Sequence, residues 1–271
     1  MENFSVLMSV YFKEDPNYFK SSLESILINQ TLRPTELVLI CDGDLTSGLE
    51  DVIEEFSILY PEILKVYRKE NGGLGNALNY GLLKCSYDLV ARMDTDDIAK
   101  FDRFEKQLKI FEEYPEYDVV GAWIDEFERD CTNIISTRRL PESHKDIYEY
   151  AKKRNPINHP VVMFKKSAVE SAGSYEHFAL FEDYYLWVRM LLNGSKFYNI
   201  QESLLYFRFS PDMFKRRGGF SYAFTEAKFF WTIRELGLLT YKQAIINIAG
   251  RFVTRIIPNK FRSWIYKKIL R

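Results

Sequence analysis

Two aspartates one residue apart, in the run Asp94-Thr95-Asp96-Asp97, have the chemistry and spacing to converge on a divalent cation. Alternate side chains of an extended chain share a side, so carboxylates at i and i+2 point together while Thr95 points away. A hard cation such as Mg2+ or Mn2+ takes oxygen ligands and completes its shell with water and phosphate oxygens, which suits a diphosphate. The same run also reads as a solvated turn with a cap for a helix beginning near Phe101. Other stretches offer complementary chemistry. Asp42-Gly43-Asp44 is a turn bearing carboxylates, and Glu70-Asn71-Gly72-Gly73 lets backbone approach a phosphate or ribose, or is simply a turn. Of the adjacent acids Glu182 and Asp183, one can take a proton from a hydroxyl while the other raises its proton affinity; an acidic first helical turn is the alternative. His159 stands in the proline-flanked stretch Asn155-Pro156-Ile157-Asn158-His159-Pro160. Arg216-Arg217-Gly218-Gly219 has the make-up of a lid that clasps phosphate, or of a solvated loop.

These residues need elements to position them. Phe4–Phe12, Glu36–Cys41, Ile63–Arg68 and Asp88–Met93 are short, apolar and rich in β-branched residues, the pattern of buried strands. Helical patterns separate them, the first with Asp15 as N-cap and Pro16 at the first helical position, others near 49–60 and 75–84. Strand–helix alternation predicts right-handed βαβ units and a parallel sheet covered on both faces. Ligands of such sheets bind beyond the carboxyl ends of the strands, where Asp42, Asn71-Gly72-Gly73 and Asp94-Thr95-Asp96-Asp97 stand. Past Phe101 the alternation fades into a helix near 104–114, a strand over 119–127 and mixed segments to about 209.

Composition excludes several classes. A chain of 271 residues with 46% hydrophobic content can bury one sizeable core, and a net charge of −1 gives no reason to expect nucleic acid as a partner. Cys41, Cys85 and Cys131 form no CxxC pair, so a disulfide framework is not expected; each reads as a small buried hydrophobe in a reducing compartment. No signal-peptide pattern and no run of 18 apolar residues is found, which predicts a cytoplasmic protein. GxGxxG is absent after the first strand, against a hydride-transferring dinucleotide enzyme, and Tyr11-Phe12-Lys13-Glu14 stands where a sugar nucleotidyltransferase would carry its glycine-rich basic loop. A sugar-nucleotide-binding protein without transfer activity stays open at this level.

Taken together, Val6–Val10 with Tyr11, Asp42-Gly43, Asn71-Gly72-Gly73-Leu74, Ala77 with Asn79 and Gly81, Arg92 through Asp97, and Phe181-Glu182-Asp183-Tyr184 with Leu186-Trp187 stand in a telling order. Over about residues 4–210 the chain resembles the inverting family 2 glycosyltransferases of GT-A fold, especially bacterial enzymes that build capsular, exopolysaccharide or O-antigen repeat units. The resemblance implies an α/β, Rossmann-like, mostly parallel sheet flanked by helices. It implies a catalytic domain over 1–210, with a nucleotide-sugar half to about 100 and an acceptor half after it. Asp42 would meet the uracil of a UDP-sugar, with Ser9, Val10 and Tyr11 lining the base pocket. Asn71, Gly72, Gly73, Asn76, Asn79 and Arg92 would lie toward the donor, and Asp94 and Asp96 would hold Mn2+ or Mg2+. Asp183 would act as general base beside Glu182, with His159 and Trp187 toward the acceptor; Arg216 and Arg217 lie past the resemblance and keep their two readings, lid or solvated loop. Cys41 departs from the pattern by replacing the first of two acids that the family usually shows before the glycine.

Residues 211–271 form a C-terminal appendage. From Lys242 to Arg271 there are eight Lys or Arg and no Asp or Glu. Over 241–257, Ile245, Ile248, Ala249, Phe252 and Ile256 share a helical face while Gln243, Asn247, Arg251 and Arg255 make a polar stripe. Such a basic amphipathic helix suits an anionic membrane, the inner face of which would present a lipid-linked saccharide acceptor, or else packing on the domain or a second subunit.

Overall fold

The computed structural model describes residues 2–209 and 219–256. The first half is built as three strand–helix steps and a fourth strand: β1 (Phe4–Val10), α1 (Pro16–Leu27), β2 (Glu36–Asp42), α2 (Ser47–Leu59), β3 (Leu64–Lys69), α3 (Leu74–Lys84) and β4 (Leu89–Arg92). Asp15 caps α1 by accepting from the N–H groups of Asn17 and Tyr18 at 2.8 and 3.3 Å, and Pro16 occupies the first turn, as the sequence predicts. β1 pairs in parallel with both β2 and β4, and β2 with β3. The carboxyl ends of β1 and β4 therefore open a crevice at the centre of the sheet.

The second half adds β5 (Ile98–Ala99), α4 (Arg103–Glu113), β6 (Val119–Phe127), β7 (Ile134–Arg138), α5 (His144–Ala151), a 3-10 turn (His159–Val161), β8 (Met163–Lys165), α6 (Lys166–Ser171), α7 (Glu182–Leu192) and β9 (Phe197–Arg208). Two C-terminal helices follow, α8 (Phe220–Glu235) and α9 (Tyr241–Ile256). Among the described residues the strands form one nine-stranded sheet in the order β3-β2-β1-β4-β8-β6-β9-β5, with β7 beside β6. β8 is antiparallel to β4 and β6, so the parallel regularity ends after β4.

Strands buried on both faces divide the core by period two. Leu7, Val38 and Ile40 face α3, α7 and α8, whereas Val6, Met8, Leu37 and Leu39 face α1, α2 and α4. Gly81 lets α3 lie close on the sheet, because a Cβ there would stand 2.3 Å from Leu7 Cδ1 and 2.9 Å from Ile40 Cγ1. On the far side, Phe229 of α8 stacks on Phe181 at 4.8 Å and packs at a tilt against Tyr184 at 4.6 Å, fixing the start of α7.

Of the two placements open to α9, the structure shows packing on the domain. Its polar stripe faces inward: Arg251 Nη1 and Arg255 Nε each donate at 2.8 Å to Glu226 of α8, and Asn247 Nδ2 donates to the Lys152 carbonyl at 3.1 Å. Glu226 has a side chain only 3% exposed, and a buried carboxylate requires charged donors, which decides the rotation of the helix. Ile245 and Ile246 are left 58% and 59% exposed. Cys41 and Cys85 are buried, as expected, but Cys131 is half-exposed near the β6–β7 turn.

Candidate active site

The acidic run leaves β4 in the central crevice. Asp94 and Asp96 are half-exposed while Thr95 and Asp97 are buried, so the side chains alternate although 95–96 is a turn. Buried Arg92 forms an ion pair with Asp94, and Ser22 Oγ donates to the Asp94 carbonyl at 2.8 Å. Thr95 Oγ1 donates to Glu14 Oε2 at 2.6 Å, bringing a third carboxylate from the loop after β1. Burial first, then the charges of Asp94 and Glu14, push the Asp96 carboxyl up to about 7. All the donors here are oxygens, and their mutual repulsion is the kind that a hard divalent cation relieves, so the residues fit such an ion. Among the described residues no group of three or more His, Cys, Asp or Glu has metal-site geometry.

Three residues that the sequence did not single out hold this turn in place. Arg208, at the end of β9, gives its N–H to Asp97 Oδ1 at 2.8 Å and its Nε to the Asp96 carbonyl at 2.9 Å. Arg103 is fully buried and donates to the Arg92 carbonyl at 2.6 Å; burial and the neighbouring Arg92 lower its pKa to about 9. Gln107 receives Arg103 Nε at 3.1 Å and caps the Val120 and Val161 carbonyls. Nothing local marks these residues, because their partners lie on distant strands.

On the donor side, Asp42 is the hub of a loop. Its Oδ1 accepts from Lys69 Nζ at 2.8 Å and the Gly72 N–H at 2.9 Å, and its Oδ2 from the Gly73 N–H at 2.9 Å. Three donors on about four lone-pair positions leave Oδ2 capacity for one more, enough for a base imide N–H. Asn71 donates to the Asp42 carbonyl at 2.9 Å, and Gly43 (φ 92°) fits because a Cβ would meet Asn71 Cβ at 3.0 Å. Asn76 turns back on Gly72 O at 2.8 Å while remaining exposed beside the loop. Asn79, expected toward the donor, instead clasps the Tyr175 backbone with bonds of 2.6 and 2.8 Å. Ser9 is half-buried, Val10 is core and Tyr11 is 40% exposed at the crevice edge.

Beside α3 and the start of α7 lies a small cavity of about 50 Å³ lined by Leu74, Leu78, His159, Tyr175, Glu182 and Asp183, among others. Glu182 and Asp183 open α7, where the helix dipole favours anions. Burial, with the charge of Asp183 contributing, raises the Glu182 carboxyl above its ordinary value. The loop before α7 begins and ends on left-handed residues, Ser174 (φ 57°) and Leu180 (φ 68°). His159 Nε2 and Tyr175 OH share a hydrogen bond of 2.9 Å. Burial, reinforced by Arg92, holds the imidazole well below its usual pKa and therefore neutral near pH 7. Trp187, expected toward the acceptor, is fully buried against His159, Phe164 and Phe197, so it supports the cavity from beneath. Arg216 and Arg217 lie outside the described residues, as does the tail beyond 256.

Tyr175 ties the cavity to α3: its hydroxyl bonds His159, its backbone is clasped by Asn79, and it lines the cavity beside Glu182 and Asp183. A parallel nucleotide-binding half, an acidic turn at the switch point and an acid pair across the cavity define a glycosyltransferase of GT-A fold. The glycosyl transferase family 2 model matches residues 5–172, and the chain belongs to that family. It is 40% identical, over 99% of its length and 96% of the relative, to the UDP-Gal:alpha-D-GlcNAc-diphosphoundecaprenol beta-1,3-galactosyltransferase of Escherichia coli. It is 38% identical to the amylovoran biosynthesis glycosyltransferase AmsE of Erwinia amylovora, with 98% of each chain covered. Among solved structures, S. aureus TarS 1-349 in complex with UDP-GlcNAc superposes with a TM-score of 0.65 at 17% identity, covering 99% of this chain and 76% of that one. Family membership removes the nucleotidyltransferase and binding-only alternatives.

Proposed function

We propose that this enzyme transfers a sugar from a UDP-sugar, with inversion, to a saccharide acceptor carried on a lipid, in building a bacterial surface polysaccharide. In one displacement the acceptor oxygen bonds to the anomeric carbon, the bond to the UDP oxygen breaks, and Asp183 takes the acceptor proton. Glu182 lies beside it to orient the acceptor hydroxyl. Asp94 and Asp96 would hold Mn2+ or Mg2+, which when bound supplies positive charge to the leaving diphosphate. Arg92 orients Asp94 from behind, and Asp42 with the Asn71-Gly72-Gly73 backbone receives the nucleoside. The observation carrying this reading is that Asp183, Glu182, Tyr175 and His159 line one cavity, while Asp94, ion-paired with Arg92, leaves β4 at the switch point of the sheet. The donor named for the E. coli relative and the UDP-GlcNAc complex of TarS support UDP. A lipid-linked acceptor rests on the diphosphoundecaprenol in that relative's name.

A thermal-shift screen of nucleotide sugars with and without Mn2+ tests the donor assignment. At saturating donor, metal-dependent stabilisation by a UDP-sugar and none by ADP- or GDP-sugars is expected. Equal response to all nucleotides would reject it.

The division at residue 210 keeps its meaning under this reading: donor binding before about 100, acceptor binding to 210, and membrane approach after it. No helix of the described residues is long and apolar enough to cross a membrane. Contact with an anionic surface instead uses the outward faces of α8 and α9, where Phe220, Phe224, Ile245 and Ile246 are exposed, together with the basic residues from Lys260 to Arg271. Arg251 and Arg255 are engaged by Glu226 and take no part. The protein should float with anionic vesicles, and Ile245→Glu with Ile246→Glu should weaken flotation several-fold. Unchanged flotation of that variant would exclude this face.

A further inference from the structure

Asp183 is gripped from outside its own helix. Asn155, in the segment after α5, donates from Nδ2 to Asp183 Oδ2 at 2.6 Å. Its own Oδ1 accepts from the Ile157 N–H at 3.3 Å. That second bond settles the amide orientation, since a flipped amide would set donor against donor at Ile157 and acceptor against carboxylate at Asp183.

The segment carrying Asn155 is itself anchored on two sides. Toward the sheet, Asn158 Nδ2 donates to the Ala122 carbonyl of β6 at 2.9 Å, and Asn199 Nδ2 of β9 to the Pro156 carbonyl at 3.1 Å. Pro156 further restricts the backbone of Asn155 to extended conformations. Toward the C-terminus, Asn247 and Arg251 of α9 donate to the carbonyls of Lys152 and Lys153. Arg251 is held in turn by Glu226 of α8.

We propose that Asn155 is a positioning residue for the base: it fixes the rotation of the Asp183 carboxylate before an acceptor arrives, and α9 keeps Asn155 in place. The proposal rests on Asp183 being the base. A donor on one carboxylate oxygen sets the plane of the group and so the direction of the lone pair that meets the acceptor proton. The same bond favours the ionised form, the one competent to accept a proton. The C-terminal helix pair thereby belongs to the acceptor-activating half of the site.

Titratable groups that share the cavity with Asp183 include Glu182 on α7, Tyr175 from the preceding loop and His159 from the 3-10 turn. Tyr184 lies one residue along the helix, with Arg251 and Glu226 approaching it from α9 and α8.

The test uses the full chain and compares Asn155→Ala, Asn155→Asp and Asp183→Asn for kcat, donor dissociation constant, melting temperature and pH–rate profile. Asn155→Ala should lower kcat by roughly 10²-fold with donor binding and melting temperature near wild type. Asn155→Asp, nearly isosteric, should move the acid limb of the kcat profile to higher pH, because adjacent carboxylates share a proton. Wild-type kcat in Asn155→Ala, or an unmoved acid limb in Asn155→Asp, overturns the role of Asn155. Retained transfer in Asp183→Asn is a separate outcome, which overturns the base assignment beneath it.

Discussion

Asp183→Asn is expected to lower kcat by about 10³-fold while leaving UDP binding and melting temperature close to wild type. The amide keeps the size of the carboxylate but cannot accept the acceptor proton, and general-base contributions of this kind are typically about 10² to 10⁴-fold. Donor affinity should survive because the nucleoside loops are held by Asp42, Lys69 and the backbone of Gly72 and Gly73, on a different part of the sheet. Stability should survive because α7 is fixed by Tyr184, Trp187 and Leu191 in the core, not by its half-exposed first turn. Single-turnover measurement at saturating donor separates chemistry from binding. Transfer within tenfold of wild type would assign the proton to another group, with Glu182 the next to examine.

A second large effect is expected at the acidic turn. Asp96→Asn should reduce kcat/KM by at least about 10²-fold and raise the Mn2+ concentration needed for half-maximal activity. The same substitution should raise the melting temperature of the metal-free protein, and the sign follows from the carboxyl's position near 7. A carboxylate whose folded pKa lies above its unfolded value costs stability once the pH exceeds that unfolded value. The cost grows as pH rises and reaches its full size above about 7, where Asp96 is ionised beside Asp94 and Glu14. Removing the charge should therefore stabilise more at pH 8 than at pH 5. Metal affinity of the unaltered protein should likewise fall as pH drops below about 7, because the cation must displace a proton. A variant that melts lower than wild type at pH 8 without metal would contradict this electrostatic account.

The relation between sequence and site differs across the molecule for a physical reason. Hydrophobic periodicity and capping are local, so the first four strands and the three helices between them, the Asp15 cap and the 119–127 strand were legible, and with them the loops at the strand ends. The alternation of Asp94 and Asp96 outward against Thr95 and Asp97 inward was legible too, being a property of a few consecutive residues. Orientation of a helix against its neighbours was not. α9 carries both an apolar face and an arginine stripe, and only the presence of buried Glu226 on α8 turns the arginines inward. Trp187 shows the same limit, since a helical aromatic four residues past an acidic pair points wherever packing sends it, here into the core.

The amino-acid sequence by itself determined the parallel nucleotide-binding half, the metal-suited aspartates at its switch point and the acid pair that opens α7. Tertiary structure decided what makes them one site. Asn155 and Asp183 are 28 residues apart, Asp42 and Gly72 are 30, and Arg208 and Asp97 are 111. Hydrogen bonds between such partners leave no period or spacing in the chain, and they exist only because sheet order and core packing bring distant backbone within about 3 Å.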